Sequence, residues 1–220
     1  MTKSSLLIIC LITFCGAGLV QADSGSSYCN IDRVSSDLAA LSPVIGAYPP
    51  KIATSAEREK VLGEYSKIEK TLEAMSKKCP NILEVTLERA KLKSMGHNID
   101  LKDAWQQAEK DFQEVLRQAP RKIQALLGLG FLYVNSDIRL ASKAESLFKR
   151  AQEAAGSEIL IAAHRGLIFA YYYQVKLKDA QAEVELVLQS SPNNKVLTEL
   201  KSIIEAKINE SRKNSVQKQK

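Results

Sequence analysis

Apolar residues recur every three or four positions along most of the chain, which is the spacing of one face of an α-helix. The clearest stripe lies between residues 54 and 78, where the residues from Thr54 to Glu57 form a capping box and Pro80 marks the end. The alternation of period two that is typical of half-buried strands does not occur from residue 54 onward. The pattern therefore predicts a long helix over 54–78, whose buried stripe is Val61, Tyr65, Ile68, Leu72 and Met75.

The same spacing predicts further helices on both sides of this one. A short helix is expected over 32–41, followed by a proline-rich connection over 42–50. After residue 80 the pattern predicts seven helices, over 82–95, 101–118, 123–135, 140–155, 158–175, 177–189 and 195–212. We therefore expect an all-α fold.

An internal repeat relates three of these segments. Three alanines lie 36 residues apart, and each is followed four positions later by a large apolar residue. These pairs are Ala108 with Phe112, Ala144 with Phe148, and Ala180 with Val184. Pro120, Gly156 and Pro192 close the three blocks. A fixed period of this length indicates stacked helix pairs, because one pair alone cannot bury its apolar face.

In its best-preserved repeat, the chain resembles the tetratricopeptide repeat (TPR) family. The matching residues are Leu126, Leu129, Gly130, Tyr133, Ala144, Phe148 and Ala151. The resemblance covers about residues 82–192, and residues 144–156 are also similar to the Sel1-type repeat. It implies an α-solenoid of about three antiparallel helix pairs with flanking helices. The expected repeat domain is 54–206, preceded by an N-terminal segment over 23–53 that contains the short helix.

The resemblance also implies that the first helix of each pair lines a concave groove, in which the chain binds another protein or a peptide. The residues at these places are Leu127, Phe131, Val134, Asn135, Arg165, Phe169, Tyr172 and Tyr173. An exposed surface with this apolar and aromatic character would be a protein-binding site. In the alternative interpretation, Phe131, Phe169 and Tyr172 belong to the core between the helices.

Residues 1–22 have the pattern of a secretory signal peptide. Lys3 precedes an apolar run over 6–20, and the run is followed by Val20-Gln21-Ala22, a small-residue cleavage pattern. Fifteen residues are too few for a bilayer-spanning helix, which needs about 20. We expect a chain that begins at Asp23 and is periplasmic or secreted. Lipid attachment at Cys15 is the alternative.

Four cysteines occur in the sequence, and export would leave two of them, Cys29 and Cys79. An oxidising compartment favours a disulfide between these two. A reactive thiol or a metal ligand is the alternative, but the sequence places no second Cys or His at ligand spacing.

Charge and motifs indicate a binding protein, and we predict no enzyme, metal or cofactor. The chain has 31 basic and 25 acidic residues interspersed over most of its length, which argues against a nucleic-acid partner. His97 and His164 have no ligand spacing around them, and we find no nucleophile elbow and no phosphate-binding loop. The basic tail over 207–220 is expected to be disordered beyond about residue 212, and to serve either as a solubilising end or for weak contact with an anionic surface.

The sequence thus predicts an exported TPR-like scaffold for protein–protein interaction. One alternative is an accessory subunit of envelope assembly, in a pilus, in secretion or in outer-membrane biogenesis, which would be attached to the membrane. The other is a cell-wall-associated enzyme, which would need a polar cleft with paired acidic side chains.

Overall fold

The computed structural model describes residues 29–217, so the predicted signal peptide, Cys10 and Cys15 lie outside the described residues. Within this range the chain forms nine α-helices and no strand. They are α1 Asp32–Ile45, α2 Ser55–Lys78, α3 Leu83–His97, α4 Ala104–Gln118, α5 Ile123–Ser136, α6 Ala141–Ala155, α7 Ile161–Tyr173, α8 Leu177–Ser190 and α9 Lys195–Gln217. A short 3₁₀ turn, Ile138–Leu140, joins α5 to α6. The predicted all-α class is confirmed.

Helix α2 begins and buries its apolar stripe as the sequence predicts. The Thr54 hydroxyl accepts a hydrogen bond from the Glu57 amide at 3.2 Å, and the Glu57 carboxylate accepts one from the Thr54 amide at 3.2 Å. These bonds satisfy amide groups that have no partner inside the helix. All five predicted stripe residues, from Val61 to Met75, are buried.

The helices pack in chain order and form two layers. Each helix contacts the next one along the chain, and in addition α1 contacts α3, α3 contacts α5, and α5 contacts α7. These additional contacts place α1, α3, α5 and α7 side by side. We call this row of helices the odd layer. The arrangement is a stack of antiparallel helix pairs, as the repeat predicts.

Two apolar clusters form the core and meet at α3. One joins α1, α2 and α3, and the other extends from α3 to α9. On α3, Val85 and Leu92 belong to the first cluster, whereas Leu87 and Ala90 belong to the second. Helix α1 therefore packs against the start of the stack.

Three glycines of the odd layer lie against aromatic rings of the neighbouring helices. Gly128 lies sixth in α5 and Gly166 lies sixth in α7. A Cβ atom at Gly128 would overlap the ring of Phe112 on α4, and one at Gly166 would overlap the ring of Phe148 on α6. Gly130 also faces Phe148, where a Cβ would lie 2.7 Å from the ring. Glycine at these positions permits close approach between the helices.

Two helix ends differ from the predictions. Helix α1 continues through Pro43 to Ile45, because Ile45 is fully buried and extends the apolar stripe by one turn. Helix α9 continues to Gln217, five residues beyond its predicted end at 212. No glycine or proline interrupts the chain after Lys195, and such residues are what end helices most strongly.

A disulfide joins Cys29 to Cys79, the predicted pair, with a Cα–Cα distance of 6.2 Å. Cys79 directly follows α2 and is buried, and Cys29 lies three residues before α1. The bond therefore holds the start of α1 against the C-terminal end of α2.

We predict that Gly166→Ala lowers the free energy of unfolding by about 1–3 kcal/mol, because the new methyl group overpacks the Phe148 ring. Gly63→Ala is the matched control, since no atom lies within 4 Å of a Cβ at this position in α2. It should raise the free energy by about 0.5–1 kcal/mol through helix propensity. Urea unfolding measures both, and an equal effect of the two substitutions would contradict close packing at Gly166.

We predict that replacing both disulfide cysteines by serine lowers the free energy of unfolding by about 4 kcal/mol. The bond spans 50 residues, and opening such a loop increases the entropy of the unfolded chain. Urea unfolding of the double variant and of the oxidised chain measures the difference. In the exported form, which has only these two cysteines, two titratable thiols in the oxidised, denatured protein would instead show that the bond is not formed.

Candidate functional site

The eight predicted groove residues lie on α5 and α7, two neighbouring helices of the odd layer. They occupy four equivalent positions, counted from the first residue of each helix. The pairs are Leu127 with Arg165, Phe131 with Phe169, Val134 with Tyr172, and Asn135 with Tyr173. The structure thus places them in two matched columns, one on each helix.

The exposure of these residues differs between the columns. Asn135, Arg165 and Tyr173 are exposed, and the side chains of Leu127, Phe131, Phe169 and Tyr172 are half-buried. Val134 is only 2% exposed and belongs to the core, so it does not line a surface. Helix α5 lies between α3 and α7 in the odd layer.

The Phe131 ring belongs partly to the core. It meets the Phe148 ring edge to face, with 4.9 Å between the ring centroids. Phe148 itself is fully buried. One side of the Phe131 ring therefore packs against the core, and the other side faces the surface. The ring has features of both a core residue and a groove-lining residue.

Tyr172 is held by neighbours on two helices. Its ring lies 5.8 Å from the Tyr173 ring, and the ammonium group of Lys207 on α9 lies 4.8 Å from its centroid. The second contact is a cation–π interaction, and it brings α9 next to α7.

Helix α9 adds residues that the sequence interpretation missed. The position on α9 that corresponds to Phe131 and Phe169 is Ile203, which is 51% exposed. We call Phe131, Phe169 and Ile203 the apolar row, since they lie at one position on three helices in succession. The sequence analysis counted the helix over 195–212 among the flanking helices, and a count from its first residue could have found Ile203.

A separate cleft of about 560 Å³ lies where the α3–α4 connection meets the end of α5. His97, Asp103, Trp105 and Ser136 are among its lining residues. Asp103 has a left-handed backbone, with φ of 57°, and its side chain does not cap α4. This turn explains why α4 begins at Ala104, three residues later than predicted.

The hydrogen bonds in the cleft indicate a structural role for Ser136. Its hydroxyl donates to the Leu132 carbonyl and accepts from the Trp105 indole at 3.0 Å. The His97 Nε2 atom lies 3.1 Å from the same oxygen. The single proton of the hydroxyl is directed to the Leu132 carbonyl, one helical turn earlier. The three bonds orient the indole of Trp105.

His164 pairs across helices α7 and α8 with Glu183, at 2.6 Å between Nδ1 and Oε2. This contact gives the histidine a hydrogen-bond partner on the neighbouring helix. In the part of the chain that the structure describes, no three His, Cys, Asp or Glu side chains converge as metal ligands. Among the helices within 29–217, none has the length and apolar character needed to cross a bilayer.

Comparison with known proteins adds no assignment, since no family model matches the chain and no curated protein matches it. The TPR resemblance therefore stays a prediction, based on the residues quoted above.

We predict that Tyr133 makes the fold sensitive to alkaline pH. Burial, together with the hydrogen bond that its hydroxyl donates to Glu109 at 2.7 Å, raises the pKa of Tyr133 from 10 to about 12. The unfolded chain then loses this proton first, so the contribution to stability is full below pH 10 and is lost between pH 10 and 12. In urea unfolding, the free energy of unfolding should therefore fall less between pH 10 and 12 for Tyr133→Phe than for the wild type.

Tyr48→Phe serves as the control for this experiment, because Tyr48 is 67% exposed on the α1–α2 connection. If the two variants have the same dependence on pH between 10 and 12, Tyr133 does not have the proposed role.

Proposed function

We propose that the chain is an exported, TPR-like scaffold that binds another protein on the face of its odd layer. The apolar row is the observation that carries this proposal. Phe131, Phe169 and Ile203 occupy the same position, counted from the first residue, on α5, α7 and α9, and each has apolar surface that is not covered by the core. In this interpretation the odd layer is the concave side of the solenoid.

The restricted freedom of the aromatic side chains in the apolar row favours protein binding. Phe131 and Phe169 pack against the core with part of each ring, so they lose little side-chain freedom when a partner binds. Rigid aromatic side chains of this kind are enriched among residues that contribute most to protein–protein affinity. Leu127 and Tyr172, both half-buried, extend the apolar surface beside the row.

Two features support export to the periplasm or beyond. The N-terminal pattern over 1–22 is that of a signal peptide. The disulfide between Cys29 and Cys79 agrees with an oxidising compartment, because such bonds are rare in the cytosol.

We predict that Ile203→Ser weakens binding of the natural partner about thirtyfold or more and leaves the melting temperature nearly unchanged. Such a loss corresponds to about 2 kcal/mol, the usual threshold for an energetically important interface residue. Ile159→Ser is the matched control, since Ile159 is 55% exposed and lies before α7, outside the row. Affinity capture from the native compartment, with the exported form as bait, compares the two variants.

Photo-cross-linking gives a second readout that does not depend on affinity. A photoreactive amino acid at position 203 should cross-link to the partner, and the same residue at position 159 should not. Equal recovery of the partner with Ile203→Ser and Ile159→Ser, together with cross-links from both positions, would contradict binding at the apolar row.

A further inference from the structure

A small apolar notch lies between α7 and α9, beside the apolar row. Its volume is about 130 Å³. Ile168 and Leu197 are buried in its floor, and Phe169 and Leu200 are half-buried in its walls. Val196 stands at its rim and is 70% exposed. The notch is therefore an apolar depression with an open side.

The notch has the size of one side chain. Apolar cavities of about 150 Å³ in proteins remain free of water and bind molecules as small as benzene. A depression of slightly smaller volume, lined by Ile, Leu and Phe, therefore suits the side chain of one leucine, isoleucine or valine. Such a side chain would gain the usual free energy of apolar burial, because Ile168, Leu197, Phe169 and Leu200 would cover it.

Two hydrogen-bond donors stand at the rim. The Asn194 Oδ1 atom accepts from the Leu197 amide at 3.2 Å, which leaves its Nδ2 group as a donor. Arg165 is exposed, and no ion pair to it occurs within residues 29–213. Glu199, the nearest acid along α9, does not line the notch. The rim therefore offers a positive charge and donors, and a carboxylate complements both.

We infer that the notch binds a partner segment in which an aliphatic side chain stands next to an Asp or Glu. The aliphatic side chain fills the notch, and the carboxylate accepts hydrogen bonds from Arg165 and Asn194. This inference rests on the proposed function and names the chemistry that the same surface recognises. Phe169 belongs to both the notch and the apolar row, so one segment passes through the notch and continues along the row. The carboxylate is accordingly that of a side chain within the segment.

Short peptides with acetylated and amidated ends test the inference on the exported form. The first contains Leu-Asp between Gly and Ser residues, and two others replace this pair by Leu-Asn or Ala-Asp. Nuclear magnetic resonance titration, followed at the side-chain amide signal of Asn194, measures their dissociation constants. We expect Leu-Asp to bind at least fivefold more tightly than either of the other two.

Two variants locate the interaction. Arg165→Gln should abolish the preference for Leu-Asp over Leu-Asn, whereas Lys178→Gln, which removes an exposed charge on α8, should retain it. Val196→Tyr adds a ring at the exposed rim and should block the peptide, and Ile159→Tyr should not. Circular dichroism confirms that each variant is folded.

Several results would overturn the inference. Equal affinity for Leu-Asp and Leu-Asn, or an unchanged preference in Arg165→Gln, would remove the role of the carboxylate. Tighter binding of a peptide that ends in leucine with a free carboxylate would assign the site to a chain terminus instead. If no peptide shifts the Asn194 signal while Ile203→Ser still weakens partner capture, the inference fails and the proposed function stands. If Leu-Asp binds as expected while Ile203→Ser has no effect on partner capture, the notch is a binding site and the proposed role of the apolar row is wrong.

Discussion

The packing of one ring, Phe148, determines how three helices of the stack fit together. The ring lies against Gly130 on α5 and Gly166 on α7, and it meets the Phe131 ring edge to face. A side chain at either glycine would overlap it. The packing within the pair of α5 and α6 and the packing between this pair and α7 therefore depend on the same side chain. Interiors packed as closely as this one tolerate little change in volume.

The shape of the apolar surface on the odd layer depends on this packing. Because Phe148 holds one side of Phe131, the other side of that ring is presented rigidly on the odd layer. At the C-terminal end of the stack, a small side chain replaces the aromatic ring, and a large side chain replaces the glycine. Val184 stands on α8 where Phe112 and Phe148 stand on the earlier helices, and Leu200 stands on α9 where α5 and α7 have glycine. A leucine does not permit the approach that a glycine permits, and the notch lies beside it.

The first pair of the repeat region uses charge where the later pairs use aromatic rings. Arg89 on α3 donates two hydrogen bonds to the largely buried carboxylate of Asp111 on α4, at 2.6 and 2.7 Å. At the place of Gly128 and Gly166, α3 has Glu88, which is buried and pairs with Lys91 at 2.9 Å. A paired, hydrogen-bonded carboxylate can be buried where an unpaired one cannot.

The sequence by itself determined the helices and their repeat. Apolar spacing, the cap at Thr54 and prolines act within a few residues, so they predict where helices form and which stripe is buried, as Val61 to Met75 show. Tertiary structure decided what reaches the surface. Val134 and Tyr172 occupy equivalent positions, yet the first is buried and the second is half-buried, a difference that counting along the helices does not reveal. The notch likewise joins side chains from two helices about 30 residues apart, and local periodicity contains no information about such neighbours.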